Sequence, residues 1–274
     1  MQYALLNRFQ ATLVGAALGE VRGMTDRQQT FFTKPLPLQT LTQHYLQQLL
    51  QSRSLEPFDQ ELSTPQVTGK MAIALLPVGL FFHEDHLKLW QNLERAIVRV
   101  QAPQIDRRGV FAVEFAIAEI LQERLDPLTL IPQLLATLEG LSSLDSPFIQ
   151  QLQQVQTLLQ QQAGLESVLK LGRSESEIAL AFYCFLSTPD DFRLSLLRAA
   201  QTHQPVVYAL TGALSGAYNG LNGMAIEWRL AIDQTEILSQ ARHLLAHWSG
   251  VYNPTDAEPL ISAVAAPQVI RKVG

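Results

Sequence analysis

Cysteine is almost absent from this chain. Cys184 stands alone, so no intrachain disulfide can form and a cysteine-built zinc knuckle is excluded. A reducing cytoplasm is the simplest compartment for such a sequence. Charge is also scarce: 16% of the 274 residues are charged and the formal net charge is −5. That leaves no basic field to draw in nucleic acid or an anionic membrane surface, and neither is expected as a partner. Long hydrophobic runs are missing too. The opening Met1-Gln2-Tyr3 lacks the basic start and apolar core of a signal peptide. The longest weakly polar stretch, Val206 to Leu221, falls short of the roughly 20 apolar residues that a membrane-spanning helix needs. It also carries Thr211, Ser215 and Asn219, so it reads as a buried core helix and membrane insertion is not expected.

Alternation of apolar and polar residues with period two is hard to find, whereas apolar residues recur three and four apart through most of the chain. With 47% hydrophobic residues there is enough to build one large core, and the expected fold is all-α. Helices are expected over Tyr3–Gly19, Leu38–Gln51, Asp85–Gln101, Gly109–Arg124, Thr129–Glu139, Phe192–Ala200 and Thr235–Trp248. Another is expected in the Gln-rich segment Gln150–Gln162, where Leu152, Val155, Leu158 and Leu159 keep helical spacing and the glutamines form a solvated face. Asp85, Asp190 and Asp191 are placed to cap helices, and Ser174 with Glu177 has the capping-box spacing ahead of Ala179, Phe182, Tyr183 and Leu186. Gly212, Gly216 and Gly220 fall four apart, as do Gly15 and Gly19, so two backbones can approach closely there. The chain divides into one helical domain over 1–252 and a Pro-containing tail over 253–274.

Several groupings invite a chemical reading and resist it. Thr68-Gly69-Lys70 lacks the glycine and the Ser or Thr that a phosphate-binding P-loop requires, since Thr64 and Met71 stand at those places. His243 and His247 share a helix face at zinc-ligand spacing, but Leu244 replaces the glutamate of a zinc protease and no third ligand is near in sequence, so helix-surface histidines are expected. His83-Glu84-Asp85-His86 is the densest group of potential ligands, and its position before a helix fits cap chemistry better than a metal. Cys184 lies among Phe182, Tyr183 and Phe185, which would raise its pKa and leave it inert.

Three places carry a family resemblance. Arg8-Phe9 through Gly15-Ala-Ala-Leu-Gly19-Glu20, with Gly23 after it, is similar to an opening helix of the form R-x-x-G-x-x-x-G-x-A-x-G-D-A-x-G. Thr68-Gly69-Lys70-Met71-Ala72 followed by Leu76-Pro77-Val78-Gly79-Leu80-Phe81 is similar to G-x-x-M-R-x-x-P-L-G-L. The third and closest match runs from Phe185-Leu-Ser-Thr-Pro-Asp-Asp-Phe192 through Leu210-Thr-Gly-Ala-Leu-Ser-Gly-Ala-Tyr-Asn-Gly-Leu221 to Ile226-Glu-Trp228. In order and spacing the chain resembles the ADP-ribosylglycohydrolase family from Arg8 to Trp228.

That resemblance implies a compact all-α domain with a binuclear magnesium site that hydrolyses the bond between ADP-ribose and a protein side chain, chemistry that needs several converging carboxylates. Family members take these from a Thr-Asp-Asp segment after the first helix and an Asp-x-Asp-Thr segment before the Gly-rich helix. Both are missing. The first place reads Phe32-Thr33-Lys34-Pro35-Leu36, and counting back from Gly212 the second puts His203, Pro205 and Val206 where the two aspartates and the threonine belong. Glu20 stands where aspartate is common. A hard dication without its carboxylates loses most of its binding energy, so the binuclear magnesium site is expected to be lost and no cofactor is expected. The resulting expectation is a pseudoenzyme that binds a ligand or a protein partner. If the cleft keeps ADP-ribose or a nucleotide, the resemblance points to Glu20, Gly69, Lys70 and His203 around it. The same residues have structural uses: Gly69 in a turn, Lys70 as a surface charge, Glu20 and His203 at helix ends. One alternative is an active hydrolase with a rebuilt site, using Glu20 or Asp26 as general base. Another is a structural subunit of a larger assembly.

Overall fold

The computed structural model describes residues 2–24, 37–51, 67–100, 105–139, 147–164, 166–167, 177–232 and 236–250. Among them are twelve α-helices and no strand: α1 (Gln2–Met24), α2 (Pro37–Gln51), α3 (Val67–Phe81), α4 (His86–Arg99), α5 (Arg107–Leu121), α6 (Leu130–Glu139), α7 (Pro147–Gln160), α8 (Glu177–Leu186), α9 (Phe192–Ala200), α10 (Pro205–Asn219), α11 (Ile226–Ile232) and α12 (Glu236–Ser249). The all-α expectation holds. Two caps read from the sequence are in place, with Asp85 accepting from the Lys88 N–H and Asp191 from that of Leu194. No helix among the described residues is long and apolar enough to cross a membrane.

The centre of the fold is an antiparallel contact between α1 and α10. A Cβ on Gly15 would run into the carbonyl of Gly212, and one on Gly212 into the carbonyl of Gly15. One turn along, a Cβ on Gly216 would strike the carbonyl of Ala11. Backbone therefore lies on backbone, which only glycine allows, and the packing offsets the helix propensity that glycine gives up. Asn7 closes the row: its Oδ1 accepts the Leu221 N–H at 2.7 Å. Gly220 does not continue α10 as expected; with φ +67 it terminates the helix against Asn7. α1 also runs one turn further than its periodicity indicated, to Met24.

α3 is a helix that the sequence did not announce. Gly69, Pro77 and Gly79 argue against one, and its apolar residues lie all round rather than on a stripe. A helix enclosed on every side has no stripe to show. Pro77 has no N–H for the Ile73 carbonyl, and Thr42 of α2 supplies a hydroxyl to that oxygen at 3.2 Å. Gly79 leaves room for Glu114 of α5, where a Cβ would collide with the carboxyl. α11 was also unforeseen, and it carries Trp228 against Phe192 with ring centroids 5.9 Å apart.

Glu114 is fully buried and neither oxygen has a hydrogen-bond partner. Burial raises its pKa well above the ordinary 4.5, so the native state keeps the proton over a range where the unfolded chain releases it. Its contribution to stability is then whole below the unfolded pKa and is lost as the pH rises towards the folded pKa. Urea unfolding between pH 4 and 8 should show wild type losing stability that Glu114→Met retains, with the variant about 1–3 kcal/mol more stable at pH 8. Parallel profiles for the two proteins would contradict this account of the buried acid.

Candidate functional site

Four helix N-termini meet at one end of the fold. Gly69, in the first turn of α3, donates its N–H to Oε1 of Glu177, the first residue of α8, at 3.1 Å. A Cβ on Gly69 would come within 2.5 Å of Val206 Cγ1 at the start of α10 and 2.6 Å of Glu177 Cγ. Thr68 Oγ1 accepts the N–H of Asp106, the N-cap of α5, at 3.1 Å. Gly109, in the first turn of α5, lies where a Cβ would meet Ile178 of α8 at 2.9 Å and Thr68 at 3.1 Å. The starts of α3, α5, α8 and α10 are thus in mutual contact. Each helix start carries a partial positive charge from its unpaired N–H groups, so together they favour negative charge. Glu177 is 3% exposed and Asp106 partly buried, and these two carboxyl-bearing residues supply acid at that place.

Gly69 is buried within a helix, not in a turn as its structural alternative had it. Lys70 is partly buried on the same turn. Val206 reaches Gly69, which brings the segment from His203 to Val206 to the start of α3. His203 itself is exposed, in the left-handed region at φ 53, on the turn that leaves α9, with its N–H on the Ala200 carbonyl at 3.2 Å. It lies outside the buried contact of Gly69 with Glu177 and Val206. The register that sets Gly15 against Gly212 places the backbone of Glu20 level with Val207, near the same end; its side chain lies outside the described residues. So do Asp26, Phe32–Leu36 and the tail. Glu177 was not among the candidate residues. Its spacing from Ser174 pointed to a local capping box, and nothing in the sequence announced that its carboxyl would satisfy a different helix.

The other groupings singled out in the sequence have the following neighbours. His83 is 3% exposed and bonds through Nδ1 to the Leu80 carbonyl at 2.7 Å, with its ring against Phe9 and Trp248. Burial drops its pKa to about 4, so it is neutral at pH 7. His86 Nε2 lies 3.1 Å from Glu119 Oε1, an oxygen that also takes Arg124 Nη2 at 2.7 Å, and Asp85 caps α4. Of the four, Asp85 is the one that acts as a helix cap, while His83 and His86 have separate partners. His247 stacks obliquely on Phe81, ring centroids 6.0 Å apart. Cys184 is buried and its thiol is pushed up to about 12 by desolvation, the direction expected. Among the described residues no three His, Cys, Asp or Glu side chains are grouped to hold a metal ion.

The sequence model of the ADP-ribosylglycohydrolase family matches residues 39–254. The match takes in the central Gly69–Phe81 motif and the Gly-rich helix α10, while the opening helix α1 lies ahead of it. No curated protein matches the chain.

Glu177 ties this end together. Glu177→Ala leaves the Gly69 N–H buried without an acceptor and should cost about 1–3 kcal/mol in denaturant unfolding. Glu177→Gln keeps an acceptor of the same shape and should recover most of that loss. Equal stability of the alanine and glutamine variants would show that the hydrogen bond contributes nothing.

Proposed function

We propose that this chain, which belongs to the ADP-ribosylglycohydrolase family, is a non-catalytic member that binds an ADP-ribosyl or nucleotide ligand without metal and acts as a regulatory module. The observation that carries this reading is the start of α10. In the family, as the resemblance has it, an Asp-x-Asp-Thr segment there presents oxygen ligands to magnesium. In this chain the corresponding positions are His203, Pro205 and Val206, and the Val206 side chain packs on Gly69 beside Glu177. Neither proline nor valine offers a side-chain ligand, and a methyl group lies against the start of α3. No other acid lies between Asp191 and Glu227.

Loss of the metals does not empty the site of electrostatic preference. The four helix starts retain partial positive charge, and Lys70 stands on the first turn of α3 among them. Glu177 and Asp106 already answer part of that field, so a ligand's phosphate would be received by Lys70 and the helix N–H groups that those two acids do not take. Hydrolysis needs an activated water, and the acids that the rival hydrolase reading would use are Glu20, at the aspartate place of the opening-helix motif, and Asp26, in the segment after it; neither stands in a Thr-Asp-Asp or Asp-x-Asp-Thr sequence.

Isothermal titration with ADP-ribose, with and without magnesium, tests the proposal. Binding should be independent of magnesium and about tenfold weaker in Lys70→Ala, the loss of one charge-assisted contact. Binding that tightens with magnesium would overturn the metal-free reading. Absence of binding would leave protein docking as the role of the fold and remove the ligand from the proposal.

A further inference from the structure

α6 and α7 pack on each other, and each turns a face outward. Between Asp126 and Glu166 the charged residues are Glu139 and Asp145, although 16% of the chain is charged. On the α6 side the exposed apolar residues Leu128, Pro132 and Ala136 recur four apart, and Leu128, on the turn ahead of the helix, is 88% exposed. On the α7 side Gln150, Gln153, Thr157 and Gln160 fall three and four apart along one exposed stripe. A solvated helix face ordinarily carries charge, as that of α4 does with Lys88 and Arg95.

We infer that this face pairs with the same face of a second copy of the chain, in a weak two-fold dimer. The occupant follows from charge. Each copy has a formal net charge of −5, so two copies repel, and the cost of bringing them together is lowest where neither has a charge to oppose. A partner of opposite charge would find nothing there to select it. Glutamine and threonine side chains both donate and accept, so a stripe of them complements an identical stripe across a two-fold axis. Leu128 and Ala136 add apolar surface, and apolar side chains with little charge are what the centre of an interface is made of. The two helices are about 15 and 21 Å long and about 10 Å across, an area at the small end for specific interfaces, which sets a reversible dimer in the micromolar range. The inference does not depend on the ligand proposed for the helix starts.

Sedimentation velocity of the full chain between about 5 and about 500 μM tests it. Wild type should pass from monomer to dimer across that range. Gln153→Glu together with Gln160→Glu sets like charges on both copies and should weaken pairing about tenfold or more, with the Tm of the dilute protein little changed because both side chains are exposed. Leu128→Ser should weaken it as well. Mixing the double-glutamate protein with one carrying Gln153→Lys and Gln160→Lys should give a dimer of mixed composition. Gln47→Glu is the control and should leave the dimer intact: α2 also lacks Asp, Glu, Lys and Arg, and of its described side chains only Gln47 and Gln51 are exposed. Wild type of monomer mass at every concentration would overturn the inference. So would a dimer that survives the two glutamates, or one lost in Gln47→Glu, which moves the contact to α2. Failure of the glutamate and lysine proteins to pair with each other would overturn it as well.

Discussion

The structure depends on one close approach, the backbone of α1 laid against that of α10 through Gly15, Gly212 and Gly216. No side chain separates the two helices there, so their register is set by where glycine occurs. An added methyl would have to push one whole helix off the other, because the obstructing atoms are carbonyls rather than flexible side chains. In that register the start of α10 lies beside the first turn of α3. The convergence of helix starts follows from a packing constraint located more than a turn away from it.

At that convergence, physical chemistry separates what a fold can keep from what it can lose. Helix dipoles belong to the backbone and survive any change of side chain that leaves the helices in place. Metal ligation belongs to individual carboxylates and disappears with them. This chain has the first, and at the start of α10 the resemblance sets proline and valine where the family's aspartate and threonine belong. Glu177 is consistent with such a field: a buried acid is tolerated where a backbone N–H and several helix starts receive it. Glu114, buried with no partner at all, shows the opposite case, an acid held in the native state by keeping its proton.

Much of this was legible in the sequence where the cause was local. Asp85 and Asp191 cap the helices that follow them, α9 occupies the span its pattern marked, and the glycine spacing foretold a backbone contact. Enclosure was not legible. α3 hides its periodicity because buried residues lie on all its sides from Met71 to Leu80, and at Pro77 the Ile73 carbonyl finds a donor in Thr42 from another helix. Gly69 was recognised as part of a motif but not as the place where α8 and α10 touch α3, and Glu177 escaped notice because its partner lies 108 residues away. Lys70 and His203 were placed near the site by resemblance; the structure sets Lys70 on the turn that makes the contact and His203 on an exposed turn just before α10. The family match covers α10 but begins after α1, so the pairing of the two rests on the glycines themselves.

The most direct measurement is release of free ADP-ribose from an ADP-ribosylated arginine peptide, followed by mass spectrometry over many hours with stoichiometric protein and excess magnesium. A chain whose cleft has lost its metal ligands should release no more than the protein-free control. Release above that control, dependent on magnesium, would contradict the account and require a carboxylate set that the start of α10 does not provide.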